Sequence, residues 1–117
     1  MKTITENSNY QIEIKNSKFI TELIKIDNEN IKDILEEMKI KYPKATHYTY
    51  ALRLENYQKS SDDGEPGGTA GTPMLNVLEK EDIINVLAVT IRYFGGIKLG
   101  AGGLLRAYNQ AGSDVTK

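Results

Sequence analysis

Apolar and polar positions along the chain change period several times, and each change marks an element. In YQIEIK, Tyr10 to Lys15, Ile12 and Ile14 alternate with polar neighbours, which predicts a strand. Asn16 and Ser17 supply a turn, and KFITELIKI, Lys18 to Ile26, predicts its hairpin partner. The period then lengthens. Ile31, Ile34, Leu35, Met38 and Tyr42 share one helical face, with Asp27 or Asn28 to cap the start and Pro43 to end it. In HYTYALRLE, Tyr48, Tyr50, Leu52 and Leu54 face one way and His47, Thr49, Ala51 and Arg53 the other, the pattern of a half-buried strand. The polar run NYQKSSDDGEPGGTAG predicts a loop, after which Thr72 and Pro73 open a short helix, PMLNVLEKE. INVLAVTIRYF, Ile84 to Phe94, is rich in β-branched residues and predicts the central strand. Beyond GGIKLG a last helix starts near Gly100, with Ala101, Leu104, Leu105, Tyr108 and Ala111 at helical spacing.

The order ββαβ, loop, α, β, α predicts an α+β two-layer sandwich with a mixed or antiparallel sheet and its helices on one face. The opposite face is then expected to be open and to carry His47, Thr49, Arg53, Thr90 and Arg92, which lack apolar side chains and share strand phase. With 117 residues and no internal repeat, residues 1–117 are expected to form a single domain.

Charge adds a local rather than a global signal. Fifteen Lys and Arg against sixteen Asp and Glu give a net charge of -1, which argues against a generic polyanion-coating protein. No acid lies between Asp82 and Asp114, whereas Arg92, Lys98 and Arg106 all do; Glu55, Asp62, Asp63 and Glu65 form an acidic cluster upstream. With no cysteine, disulfides and thiolate chemistry are excluded. The start, MKTITENSNY, has no apolar segment of the kind that directs export, and no apolar run approaches the roughly 20 residues that span a bilayer. The expectation is a cytoplasmic protein without a membrane partner.

All ten glycines fall between Gly64 and Gly112, nine of them in two stretches that each run into a predicted helix. A helix N-terminus presents unpaired N–H groups and partial positive charge, so it favours an anion such as phosphate or sulfate. The binding candidates are therefore Gly68, Thr69, Gly71 and Thr72 in the first loop and Gly95, Gly96, Lys98, Gly100, Gly102, Gly103 and Arg106 in the second, with Arg92 beside them. The same glycines equally suit tight turns and close packing of helix on sheet. Standard nucleotide motifs fail letter by letter: from Gly95 to Gly100 the spacing starts a P-loop, but Ala101 stands where lysine is required. His47 is the only histidine, which excludes a multi-histidine metal centre. Asp62 and Asp63 are candidate Mg²⁺ ligands for a phosphate-handling reaction with His47 as base, or simply a solvated turn. No cofactor or resident metal is expected.

Together, SDDGEPGGTAGTPMLNVL and IRYFGGIKLGAGGLLRAY, preceded by YPKATHYTYALRL, resemble the signature of the N-terminal domain of the IMPACT (YigZ-like) family. The likeness runs from about Phe19 to the end. Many relatives have Ser at the position of Gly67 and Cys near that of Thr49, so a catalytic cysteine is out of the question here. The resemblance implies the fold of the second domain of ribosomal protein S five. It also implies regulation of translation: eukaryotic members compete for the activator of an initiation-factor kinase and damp the amino-acid starvation response, and a ribosome or nucleic-acid role is suggested for bacterial ones. Bacterial members usually carry a ferredoxin-like second domain, expected to be absent from this chain. The functional expectation is a binding or regulatory domain that docks to a protein or to structured RNA of the translation machinery through its glycine-rich loops. A Mg²⁺-dependent enzyme acting on a nucleotide or phosphoester is the alternative.

Overall fold

Five strands and three helices make up the computed structural model, which describes residues 1–117. In chain order they are β1 (Ser8–Ile14), β2 (Ser17–Lys25), α1 (Lys32–Lys41), β3 (His47–Arg53), β4 (Gln58–Ser61), α2 (Gly71–Lys80), β5 (Val86–Tyr93) and α3 (Gly100–Val115). The strands form one sheet in the order β1-β2-β5-β3-β4, every pair antiparallel. The α+β class and the central position of the Val86–Tyr93 strand follow the hydrophobic pattern. Strand β4 does not: its four residues QKSS carry no apolar signal and pair with β3 only through register. No helix is long and apolar enough to cross a membrane.

Register sorts the side chains into rows across β2, β5 and β3. On one face the rows are Phe19–Arg92–His47, Thr21–Thr90–Thr49 and Leu23–Ala88–Ala51. Helices α2 and α3 cover this face, where Met74, Leu78, Leu104, Ala107 and Tyr108 pack against Phe19, Leu23, Ala51 and Ala88. The other face presents Tyr50, Leu52, Leu87, Val89 and Ile91, and it is covered by Met38 of α1 and by Ile31, just before that helix. Helices thus lie on both sides of the sheet.

This placement corrects the expectation of an open polar face. Thr49 and Thr90 are fully buried, Arg92 is 5% exposed, and the helices that bury them are α2 and α3. The threonines satisfy one another: Thr21 and Thr90 hydroxyls lie 2.7 Å apart, and the Thr49 hydroxyl donates to the Thr90 carbonyl at 3.0 Å. A hydroxyl that finds a partner inside costs little to bury, so polarity here does not report exposure. Arg53 points to the C-terminal end of α2, donating to the Ile83 carbonyl at 3.2 Å and reaching Asp82 at 3.4 Å.

Candidate functional site

The first glycine-rich loop is folded around its own acids. Asp62 accepts from the amides of Gly68 at 2.8 Å, Ala70 at 3.1 Å and Gly71 at 3.0 Å. Partial burial opposes its ionisation, but these N–H donors outweigh that, and its pKa lies below the ordinary carboxylate value. Asp63 accepts from the Tyr48 amide at 2.7 Å. The amides expected to hold an external anion therefore already hold the Asp62 carboxylate. Thr69 donates to the Pro66 carbonyl at 2.6 Å, and Thr72 is an exposed residue in the first turn of α2, one position inside its start at Gly71. No three of the His, Asp and Glu side chains gather as metal ligands; both oxygens of Asp62 and Oδ2 of Asp63 accept from main-chain donors.

Glu65 is the residue around which the site is built. Its side chain is 3% exposed and accepts from Arg92 Nη1 through both carboxylate oxygens at 2.8 Å. Tyr108, from α3, donates its hydroxyl to the same carboxylate at 2.5 Å. Burial first, and this hydrogen bond second, push the Tyr108 phenol far above its usual range, so it stays a donor. His47 links the cluster to the loop: Nδ1 lies 2.6 Å from the Asp63 carbonyl oxygen and so carries the hydrogen, while Nε2 lies 3.3 Å from Glu65 Oε1. Arg92 also donates to the Ser17 hydroxyl at 3.3 Å and stacks 5.5 Å from the rings of both Phe19 and Phe94. Its Nε is buried with no acceptor.

Above this cluster lies a concave pocket of about 410 Å³. His47, Glu65 and Arg92 line it on the sheet side, Pro66 comes from the first loop, and Phe94, Lys98, Leu99, Gly100 and Ala101 come from the second. Both glycine-rich loops thus share one wall. The start of α3 here has no side-chain cap and no acid in its first turn. Lys98 makes no ion pair.

The remaining candidates separate into other roles. Arg106 lines a different hollow with Ile14, Lys15, Leu99, Gly103 and Gln110, and its guanidinium lies back toward Gly102. Gly95 sits against Asn16 so closely that a Cβ would overlap the Asn16 backbone, and a Cβ on Gly71 would come 2.7 Å from the Ser61 amide. Gly96 has φ +87° with open space around it. Close approach therefore explains Gly71 and Gly95, and a left-handed turn explains Gly96. Sequence reasoning missed Glu65 as the hub and Tyr108 as its donor. The cross-strand pairing of His47 with Arg92 was available from strand phase, but nothing local places Glu65 beneath them.

Residues 15–116 match the profile of the Impact N-terminal domain. The chain is 43% identical over 116 residues to the IMPACT family member YvyE of Bacillus subtilis, covering 96% of this chain and 54% of that protein. It is likewise 43% identical over 114 residues to the IMPACT family member YigZ of Escherichia coli, covering 89% of this chain and 56% of that protein. A hypothetical protein solved by crystallography superposes with a TM-score of 0.91 at 36% identity, covering 96% of this chain and 57% of that one. The two-domain translational regulator Yih1 superposes with a TM-score of 0.61 at 25% identity, over 96% of this chain and 48% of that one. The chain spans about half the length of these curated relatives. With the profile matched over nearly all of its residues, this chain belongs to the Impact N-terminal domain family.

Proposed function

We propose that residues 1–117 act as a single docking domain in translation-related regulation, in the cytoplasm, and that the pocket between Glu65, Phe94 and the α3 start is the docking surface. One observation carries the reading: an uncapped helix start and an unpaired Lys98 face a floor whose own charges are already matched. In that floor His47, Glu65, Arg92 and Tyr108 are joined to one another or to the loop by hydrogen bonds and ion pairs. It suits recognition better than turnover. The likeness to a translational regulator supplies the setting. For the alternative of a phosphoester enzyme, the candidate Asp62 accepts from three main-chain amides and Asp63 from one, so the docking reading is preferred.

The test is capture from a bacterial lysate on the immobilised 117-residue chain, with wild type and Lys98→Glu, each with and without nuclease. Translation factors or ribosomal proteins retained by wild type, lost with Lys98→Glu and kept after nuclease support docking to protein. Loss on nuclease treatment moves the partner to RNA. Retention of no translation component by wild type overturns the reading.

A further inference from the structure

We propose that the free edge of β1 pairs with the same edge of a second copy of this chain, antiparallel and centred on Gln11, so that the sheet runs on from one copy into the other. The inference is independent of the pocket between the two glycine-rich loops.

The turn after β1 fixes which main-chain groups are free. Lys15 and Asn16 have φ of 48° and 67°, and Ile14 pairs with Ser17 across them, the form of a two-residue hairpin loop. The pair that closes such a loop exchanges main-chain hydrogen bonds, and bonded pairs then alternate along the antiparallel ladder. Ile14, Ile12, Tyr10 and Ser8 therefore bond to β2, while the N–H and C=O groups of Glu13, Gln11 and Asn9 point out along the sheet edge. All three residues are exposed, and no main-chain hydrogen bond outside the ladder involves them.

The two edges of the sheet are not alike. Strand β4 has four residues, one of them Lys59, and a short charged edge resists pairing. Strand β1 runs for seven residues in unbroken register, without lysine, proline or bulge, and Glu13 is its only charge.

The order of residues in β1 makes it complementary to itself. With Gln11 opposite Gln11 of the second copy, Asn9 meets Glu13 and Glu13 meets Asn9, which gives about six main-chain hydrogen bonds. No like charges meet. Sliding one strand by four residues would set Glu13 against Glu13 and leave fewer pairs. Tyr10, Ile12 and Ile14 pair with Thr21, Phe19 and Ser17 and so share the face under α3. In the Gln11 register the Tyr10 ring, 50% exposed, comes opposite the partly buried Ile12 of the other copy, once on each side of the axis. A net charge of -1 sets little repulsion between copies.

The chain has no cysteine, so single introduced cysteines report the register. In the proposed pair the two Gln11 Cα atoms lie about 5.5 Å apart, within disulfide reach, and the two Glu13 Cα atoms about 14 Å apart, beyond it. The experiment is oxidation of Gln11→Cys and Glu13→Cys in the 117-residue chain, with sedimentation of wild type and Gln11→Lys from about 10 µM to about 1 mM, the range of a small interface. Gln11→Cys should form a covalent dimer at least about tenfold faster than Glu13→Cys. The wild-type mass should rise with concentration. Gln11→Lys, which sets two lysines face to face, should weaken association at least about threefold while its ¹⁵N–¹H spectrum keeps the folded pattern. A wild type that stays monomeric throughout, or equal crosslinking at the two positions, would overturn the proposal. A monomeric chain that captures a lysate protein, with capture lost in Gln11→Lys, would assign the edge to a different partner and overturn the second copy as its occupant.

Discussion

Arg92, at the end of the central strand, meets both carboxylate oxygens of Glu65, in the first glycine-rich loop, at 2.8 Å. Neither side chain is more than 6% exposed. The pair pins a polar loop onto a strand that lies 27 residues later, and Tyr108 adds a tie from α3. Loop, sheet and helix therefore meet at one carboxylate.

Removing Glu65 should cost far more than removing a surface acid. Glu65→Ala leaves Arg92 charged, buried and unpaired, a loss of about 3–5 kcal/mol in unfolding free energy. Replacing both, as Glu65→Met with Arg92→Met, should recover much of it, because no charge is left stranded. Urea unfolding of wild type and the two variants reads this directly. A Glu65→Ala loss below about 1 kcal/mol would show that the pair does not hold the loop.

Gly95, in the second loop, and Gly102, in the first turn of α3, should respond in opposite directions. Gly95→Ala drives a methyl group into the backbone of Asn16, in the turn between β1 and β2, and a loss of several kcal/mol is expected on the scale of overpacking and backbone shift. Gly102→Ala, inside α3 and near only the flexible end of Arg106, should gain about 0.5–1 kcal/mol by restricting the unfolded chain. Thermal melts of both variants decide it, and a destabilising Gly102→Ala would contradict the open surroundings.

What the hydrophobic pattern made legible, and what it did not, follows from how each residue is satisfied. The helices over Ile31 to Tyr42 and after Gly100 were readable because their apolar spacing reports a buried face. Thr49, Thr90 and Arg92 were misread because a period of two tells which residues share a face, not which face is covered. Both faces of this sheet are covered, and β5 is buried at nearly every position. The buried polar row is stabilised by hydroxyl pairing and by Glu65, a residue far away in the chain. Strand β4 was hidden because QKSS owes its pairing to β3 and to the adjacent Asp62 knot. In the pocket, the second loop's wall was visible as a glycine-rich helix start. Its floor was not, since Glu65 looked like one more acid in a solvated turn.

The Asp62 knot makes stability depend on acid. Its carboxyl titrates below the ordinary value of 3.8, so the unfolded chain binds this proton more readily than the folded one. Its contribution is complete above the unfolded value and is lost as pH falls through the folded one. Asp62→Ala should cost about 1–2 kcal/mol near neutral pH, the scale of a lost helix cap. The gap between wild type and variant should narrow below about pH 4 in denaturant titrations. A gap that is unchanged at the most acidic pH where both still fold would show that the amides of Gly68, Ala70 and Gly71 do not depend on this charge.

Lys98 and Arg106 should separate in function although both are cations beside the glycine-rich corner. Lys98 lines the pocket with Glu65, Arg92 and Gly100, whereas Arg106 lies in the hollow with Ile14, Lys15 and Gln110, and Leu99 is shared between the two. Arg106 stands six residues past the helix start, well over a turn on, so its side chain leaves from a different face than the first-turn amides. Reversing the charge at Lys98 puts an anion against the α3 start and should reduce capture of the translation partner about tenfold or more. Arg106→Glu should change it by less than about threefold, as expected for a charge outside the contact and screened by salt. Quantified retention from lysate, with circular dichroism to confirm that both variants are folded, separates the two residues. Loss of capture with Arg106→Glu and not with Lys98→Glu would move the docking surface to the Lys15–Arg106 hollow.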